Sequence, residues 1–142
     1  MSNASFRFPQ SSRLRLRREI NALFQSGRVH RVFPFMVHVS TKPYEGSAVR
    51  MAVSVPKRRI KKAVDRNRVK RLIREAFRLN APRFWPQPTY QQTLHLAIVF
   101  LGKEVPDFKT VSAKIILTLQ RLTVEHEANN DRHNDGTHTA LP

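Results

Sequence analysis

Within DRNRVKRLIREAFR, residues 65–78, Val69, Leu72, Ile73, Ala76 and Phe77 recur at i, i+3, i+4, i+7 and i+8. That spacing predicts an amphipathic α-helix, because at about 100° per residue the apolar side chains share a sector about 140° wide. Asn67, Arg68, Lys70, Arg71, Arg74 and Arg78 fall on the opposite side. Such a helix must lay its stripe on another apolar surface, and it leaves outward a face that is almost purely cationic. Asp65 is the expected N-cap, and the helix start is free to lie up to one turn earlier.

The rest of the chain offers strands for that stripe to cover. In VFPFMVHVS, 32–40, Phe33, Phe35, Val37 and Val39 alternate with Pro34, Met36, His38 and Ser40. In VRMAVSV, 49–55, Val49, Met51, Val53 and Val55 alternate with Arg50, Ala52 and Ser54. Period-two patterns joined by the turn KPYEGS, 42–47, predict two antiparallel strands with one buried face. His38, Arg50, Ala52 and Ser54 then face away from the Phe35/Val37 core. LHLAIVF, 94–100, is a nearly continuous apolar run and reads as a covered strand. RREINALFQS, 17–26, carries Ile20, Leu23 and Phe24 at helical spacing and is stopped by Gly27. FKTVSAKIILTLQRLTVEH, 108–126, is a second long amphipathic helix through Val111, Ile115, Leu119 and Leu122. APRFWPQP, 81–88, reads as a proline-punctuated loop.

The expected order is therefore α-β-β-α-β-α, an α+β domain with helices packed on a small sheet. A parallel strand–helix–strand crossover after residue 49 would be right-handed by default. Residues 1–11 read as a basic flexible arm, 12–126 as the domain and 127–142 as a polar, disordered tail.

Charge narrows the function. The chain has 142 residues, 26 of them Lys or Arg against 10 Asp or Glu, a formal net charge of +16. The segment 57–74 alone holds ten basic residues and one acidic one. Like charges at i,i+4, such as Arg66/Lys70 and Lys70/Arg74, cost about 0.2–0.5 kcal/mol each. A phosphate backbone removes that repulsion and releases counterions as it binds. The partner expected from charge is thus a polyanion, either nucleic acid or an anionic membrane surface.

Other chemistry is thin. There is no cysteine, hence no disulfide, thiolate metal site or thiol nucleophile. No apolar run approaches the roughly 20 residues of a membrane span. The first residues lack the apolar centre of a secretory signal, so a soluble intracellular protein is expected. The acidic residues are scattered, Ser54 lacks a nucleophile-elbow context, and His126, His133 and His138 are irregularly spaced. No catalytic side chain and no metal site are expected.

SVPKRRIKKAVDRNRVKRLIREAFR, 54–78, resembles the signature segment of the bacterial ribonuclease P protein component, with RNRVKRLIREAFR as its core. RLRLRREINALFQSGR, 13–28, and RMAVSVPKR, 50–58, match in kind and spacing, and the resemblance covers about residues 12–125. It implies an α+β fold like the second domain of ribosomal protein S5, with a left-handed βαβ crossover in place of the right-handed default. It also implies an RNA-binding subunit of ribonuclease P that assists a catalytic RNA in removing the 5′ leader of precursor tRNA.

Under this resemblance the protein binds the RNA subunit 1:1 in the cytoplasm, away from any membrane. It binds no cofactor tightly. Magnesium ions belong to the RNA subunit's active site, and the protein promotes their productive binding. The family's RNA-contacting motif maps onto Arg66, Asn67, Arg68, Lys70, Arg71 and Arg74. Its leader-binding cleft maps onto Ile20, Phe24, His38 and Arg50, with further basic contacts from Arg13, Arg15, Lys57, Arg58 and Arg59. Only Phe24 keeps the aromatic character usual in that cleft; Ile20 and His38 depart from it. Lys61 and Lys62 also replace a usual Gly-Asn, and Phe100-Leu101 stand where a basic residue is usual. Two other classes stay open on charge and patterning alone: a structural RNA-binding protein such as a ribosomal component, and an anionic-lipid-binding protein using the basic amphipathic helix.

Overall fold

The computed structural model describes residues 17–43, 49–84 and 92–139. The expected arm, with Arg13 and Arg15, and parts of the expected turn and proline loop lie outside them. In chain order the elements are α1 (Arg17–Ser26), β1 (Arg28–Val32), β2 (Phe35–Pro43), β3 (Val49–Ser54), α2 (Ala63–Phe84), β4 (Gln92–Phe100) and α3 (Phe108–Thr139). The strands form one sheet in the order β1-β2-β4-β3.

β2 and β3 were expected to pair, and they do not. β4 lies between them, antiparallel to β2 and parallel to β3. β2 and β3 still run in opposite directions, as their patterns implied, without sharing a hydrogen bond. The reason lies in β4 itself. Leu94, Leu96, Ile98 and Phe100 are buried on one face and Thr93, His95 and Ala97 on the other, and a strand covered on both faces belongs in the interior of a sheet. The β3–α2–β4 unit is a parallel crossover.

β1 is a strand the apolar alternation did not separate. Phe33, expected inward with Phe35, is 71 % exposed in the turn between β1 and β2. That turn contains a cis Phe33–Pro34 peptide bond. Proline cannot donate to a ladder, so the strand breaks there and the inward set restarts at Phe35. β1 itself is the edge strand RVHRV, with only Val32 buried, the polar composition typical of a sheet edge.

The main core lies between the sheet and α2 with α3. Phe35, Val37, Val39, Met51, Leu96, Ile98 and Phe100 meet Val69, Ile73, Ala76 and Phe77 of α2 and Val111, Ile115, Leu119 and Leu122 of α3. The stripe read from the sequence is the buried face of α2, with Leu72 at its margin. Each fully buried aliphatic side chain there contributes about 1.5–3 kcal/mol. The opposite sheet face carries α1, whose Leu23 and Ile20 pack on Ala97 and Ala52.

Helix ends depart from expectation in three places. α2 begins at Ala63, within the turn allowed for, so Asp65 lies in its first turn and is not the N-cap. α2 runs past the expected loop start, through Ala81 and Pro82 to Phe84. Asn80 steadies this last stretch: its Nδ2 donates to the Ala76 carbonyl at 2.7 Å and to Ser112 Oγ of α3 at 3.3 Å. α3 continues to Thr139, where composition predicted a disordered tail from residue 127. Propagating an existing helix adds one backbone hydrogen bond per residue, and no proline interrupts it before position 142. At its start, Asp107 Oδ1 accepts the Thr110 N–H at 2.9 Å as an N-cap. Hydrogen bonding from Thr110 holds the Asp107 carboxyl below its usual range. Among the described residues no helix is long and apolar enough to cross a membrane.

Candidate functional site

The loop from β3 to α2, PKRRIKK, is pinned at several points. Val55 and Ile60 are buried. The N–H groups of Arg59 and Ile60 both donate to the Pro56 carbonyl, at 3.0 and 3.2 Å. Arg66, one turn into α2, reaches back: its Nη1 donates to the carbonyls of Ile60 at 3.0 Å and Lys61 at 2.7 Å. Arg66 thus clamps the loop that leads into its own helix. That was not legible in the sequence, where Arg66 reads as one more outward cation.

The rest of the cationic face of α2 is turned outward. Asn67, Arg68 and Arg71 are exposed, while Lys70 and Arg74 are half-buried. Among the described residues, the side chains of Asn67, Arg68, Lys70 and Arg71 hold no hydrogen bond or ion pair with the protein. Lys57 and Arg58 are exposed on the loop just before, with Arg59 half-buried, so the positive surface is continuous from residue 57 to residue 74. Asn67 adds both a donor and an acceptor to this row of donors.

The second set of expected residues lies on the opposite side of the sheet, under α1. The strand register aligns Val29, His38, Ala97 and Ala52 in one row across the sheet, and Ser40, His95 and Arg50 in the next. α1 crosses these rows. Phe24 stands over His38 with ring centroids 4.7 Å apart and planes at 76°. Glu19 Oε2 lies 3.7 Å from Arg50 Nη1 and 3.9 Å from the Nε2 of the buried His95. Val29, 46 % exposed beside His38, and Phe24, 42 % exposed, leave an apolar and aromatic strip open to solvent.

The structure therefore brings Phe24 and His38 into contact, gives Arg50 an acidic partner in Glu19, and uses Ile20 as packing against the sheet. His38 was expected on a polar, solvent-facing floor; instead it is buried beneath Phe24. Burial lowers its pKa, so the imidazole is neutral at pH 7, and its Nδ1 has no hydrogen-bond partner among the described residues. Sequence reasoning missed Val29 and the role of Glu19. The missed β1 strand hid the first, and only the packing angle of α1 reveals the second. Among the described residues no group of three or more His, Asp or Glu is placed to hold a metal ion.

These features define a small, strongly basic α+β domain. It presents a cationic helix face on one side of its sheet and an aromatic strip beside a short helix on the other. The family described as Ribonuclease P matches residues 8–123. The Ribonuclease P protein component of Porphyromonas gingivalis is 38% identical over 124 residues, covering 85% of this chain and 90% of the relative. That of Desulfovibrio desulfuricans is 32% identical over 114 residues, 80% of this chain and 85% of the relative. Among solved structures, the RNase P protein from Thermotoga maritima superposes with a TM-score of 0.61 at 30% identity, covering 77% of this chain and 96% of that one. The Staphylococcus aureus RNase P protein shares the fold, with a TM-score of 0.60 at 18% identity. The chain belongs to the ribonuclease P protein component family.

Proposed function

We propose that this protein is the RNA-binding subunit of ribonuclease P. In this reading it works in the cytoplasm and assists a catalytic RNA in removing the 5′ leader of precursor tRNA. The observation that carries the reading is the outward face of α2. Asn67, Arg68, Lys70 and Arg71 stand on a helix anchored by Val69, Ile73 and Phe77, with no intramolecular partner among the described residues. A rigid row of unpaired cations with one amide suits a folded RNA's phosphates; membership of the family supports the RNase P RNA as that partner, and in this reading one protein binds one RNA subunit. Electrostatic attraction of this kind dominates affinity for nucleic acid and weakens steeply with salt.

The strip between α1 and the sheet fits the single-stranded leader. Phe24 and Val29 offer stacking and apolar contact, and Arg50, tempered by Glu19, offers a positive edge. Single strands are held by such a combination of aromatic platform and basic groove. Magnesium ions bound in the RNA subunit supply the hydrolytic chemistry when present. The protein's own share is to hold the leader, neutralise phosphate charge where the two RNAs meet, and thereby favour metal binding by the RNA. No side chain of this chain takes part in the chemical step.

The test is a cleavage assay with precursor tRNA and the cognate catalytic RNA at low magnesium, with and without the protein. Mature 5′ ends formed only when the protein is added support the reading. Tight, salt-sensitive RNA binding without stimulation of cleavage would make it a general RNA-binding protein on the same fold.

A further inference from the structure

We propose that Glu19 sets how tightly the strip beneath α1 holds a leader phosphate: its carboxylate is shared between Arg50 and the buried His95, and the hold tightens as the solution becomes more acidic. This role rests on the leader-binding reading above. It makes Glu19 and His95 positioning residues that act through Arg50, with no contact of their own to RNA.

Glu19 is the sole carboxylate among the residues of α1 and the four strands. β3 and β4 pair with Arg50 directly opposite His95, so the two side chains share a row on the face that α1 covers. Glu19 Oε2 lies 3.7 Å from Arg50 Nη1 and 3.9 Å from His95 Nε2. These are ion-pair distances, longer than hydrogen bonds, and one carboxylate oxygen serves both neighbours. The other oxygen, Oε1, is buried and has no hydrogen-bond partner among the described residues. The two neighbours differ in depth: the His95 side chain is 1 % exposed and that of Arg50 is 22 % exposed. His95 sits on the interior strand β4, whereas Arg50 sits on β3, an edge strand of the sheet. Of the two, Arg50 is the one able to turn outward.

With His95 neutral, the charge of the carboxylate acts on the guanidinium, and a phosphate must compete with it for Arg50. Arg50 itself keeps its charge across the whole range in which histidine titrates. Protonated, His95 brings a second positive charge to the same oxygen. Its field is screened less by water and salt than that of Arg50, because it lies deeper. The imidazolium therefore takes the larger share of Glu19, and repulsion between the two cations turns Arg50 toward solvent and toward a leader phosphate. The other charged or titratable groups on the elements packed around His95 are Arg17 and Arg18, exposed on α1, and Lys42 and His38 on β2, one row to either side. None of them is a carboxylate. Burial lowers the pKa of His38, so that ring stays neutral further into acid than an ordinary histidine.

The experiment measures the affinity of the holoenzyme, assembled from the full chain and the cognate catalytic RNA, for mature tRNA and for a precursor made uncleavable at the scissile bond. The ratio of the two affinities isolates the leader, and the catalytic RNA without protein corrects for titration of the RNAs. Between pH 8 and pH 5.5, the range in which histidine titrates, the parent protein's preference for precursor is expected to rise about two- to fivefold, the scale of one partly exposed charge contact. Glu19→Gln is expected to show the raised preference at every pH, with no further rise. His95→Gln should keep the parent's value at pH 8 throughout. Arg50→Gln should lose the rise and part of the preference, and His38→Gln should keep the rise.

A flat profile in the parent, a rise that persists in Glu19→Gln, or a rise lost in His38→Gln would overturn the role of Glu19. So would a Glu19→Gln preference no higher than the parent's at pH 8. If Phe24→Ala abolishes the preference while the Glu19 and His95 variants follow the parent at every pH, the leader reading stands and the role of Glu19 falls. Absence of any preference for precursor in the parent would overturn both. Should His95→Gln fail to fold, Glu19→Gln decides alone, because it keeps the shape of the side chain and removes only the charge.

Discussion

The ring of Phe24, on α1, meets the imidazole of His38, on β2, edge-on at 4.7 Å between centroids. The contact joins the helix to the sheet. Phe24 is 42 % exposed while His38 beneath it is buried, so part of the Phe24 ring remains open to a stacking base. Phe24→Ala is expected to weaken binding of leader-bearing precursor relative to mature tRNA by about 1–3 kcal/mol, the range for loss of a base–aromatic stack. Equal weakening for both RNAs would mean that the ring serves packing alone.

His38 also makes stability depend on pH. Burial lowers its pKa in the folded state below the ordinary 6.5. Between the two values the unfolded chain binds more protons, so stability rises with pH across that window. The contribution is complete above the ordinary value and is lost as pH falls toward the folded-state value. His38→Gln cannot titrate. Denaturation curves from pH 7 to pH 5 are expected to show the parent protein losing stability relative to His38→Gln. Parallel pH dependence in the two proteins would contradict this.

Arg66 and Arg68 stand two positions apart and separate structure from recognition. Arg66 Nη1 bonds two loop carbonyls, and hydrogen bonds from a charged donor are worth about 1.5–3 kcal/mol each at most. Arg66→Ala is expected to destabilise the fold by about 1–3 kcal/mol in urea denaturation. Arg66→Lys would recover only part, because an ammonium lacks the fork geometry.

Arg68→Ala and Arg71→Ala are expected to leave stability within about 0.5 kcal/mol, as for exposed positions without partners. Each is expected to flatten the salt dependence of binding to the RNA subunit by about one unit. An unchanged slope in both would show that these side chains do not reach phosphate.

Gly27 joins α1 to β1 without room for a side chain. Its N–H donates to the Leu23 carbonyl at 2.9 Å, and a Cβ there would lie 2.5 Å from that same oxygen and 3.1 Å from the Val39 carbonyl. Gly27→Ala is expected to destabilise by about 1–3 kcal/mol, the usual scale of forced overpacking. It should also loosen the Phe24–His38 contact, seen as exchange broadening of the His38 ring signals.

Local pattern was enough wherever one residue's neighbours along the chain decide its environment. The apolar stripe of α2, the inward sets of β2 and β3, the α1 boundaries and the buried run of β4 were all legible from periodicity. So was the outward row from Asn67 to Arg71, because a helix with a 3.6-residue repeat must place it opposite the stripe. The resemblance carried by RNRVKRLIREAFR added the family.

What only the tertiary structure decided are the relations between residues distant in the chain. Periodicity states that a strand has two faces, but not which strand lies beside it; β4 lies between β2 and β3 with residues of both its faces buried. β1 escaped notice because an edge strand covered on few sides needs no strict alternation. Charge counting treated Arg66, Arg68, Arg58 and Lys103 as equivalent cations. The fold makes them different. One clamps a loop, one faces solvent on α2, and two meet across a concavity at the ends of parallel strands. Long-range packing brings those side chains to their partners, and no local sequence rule encodes that distance.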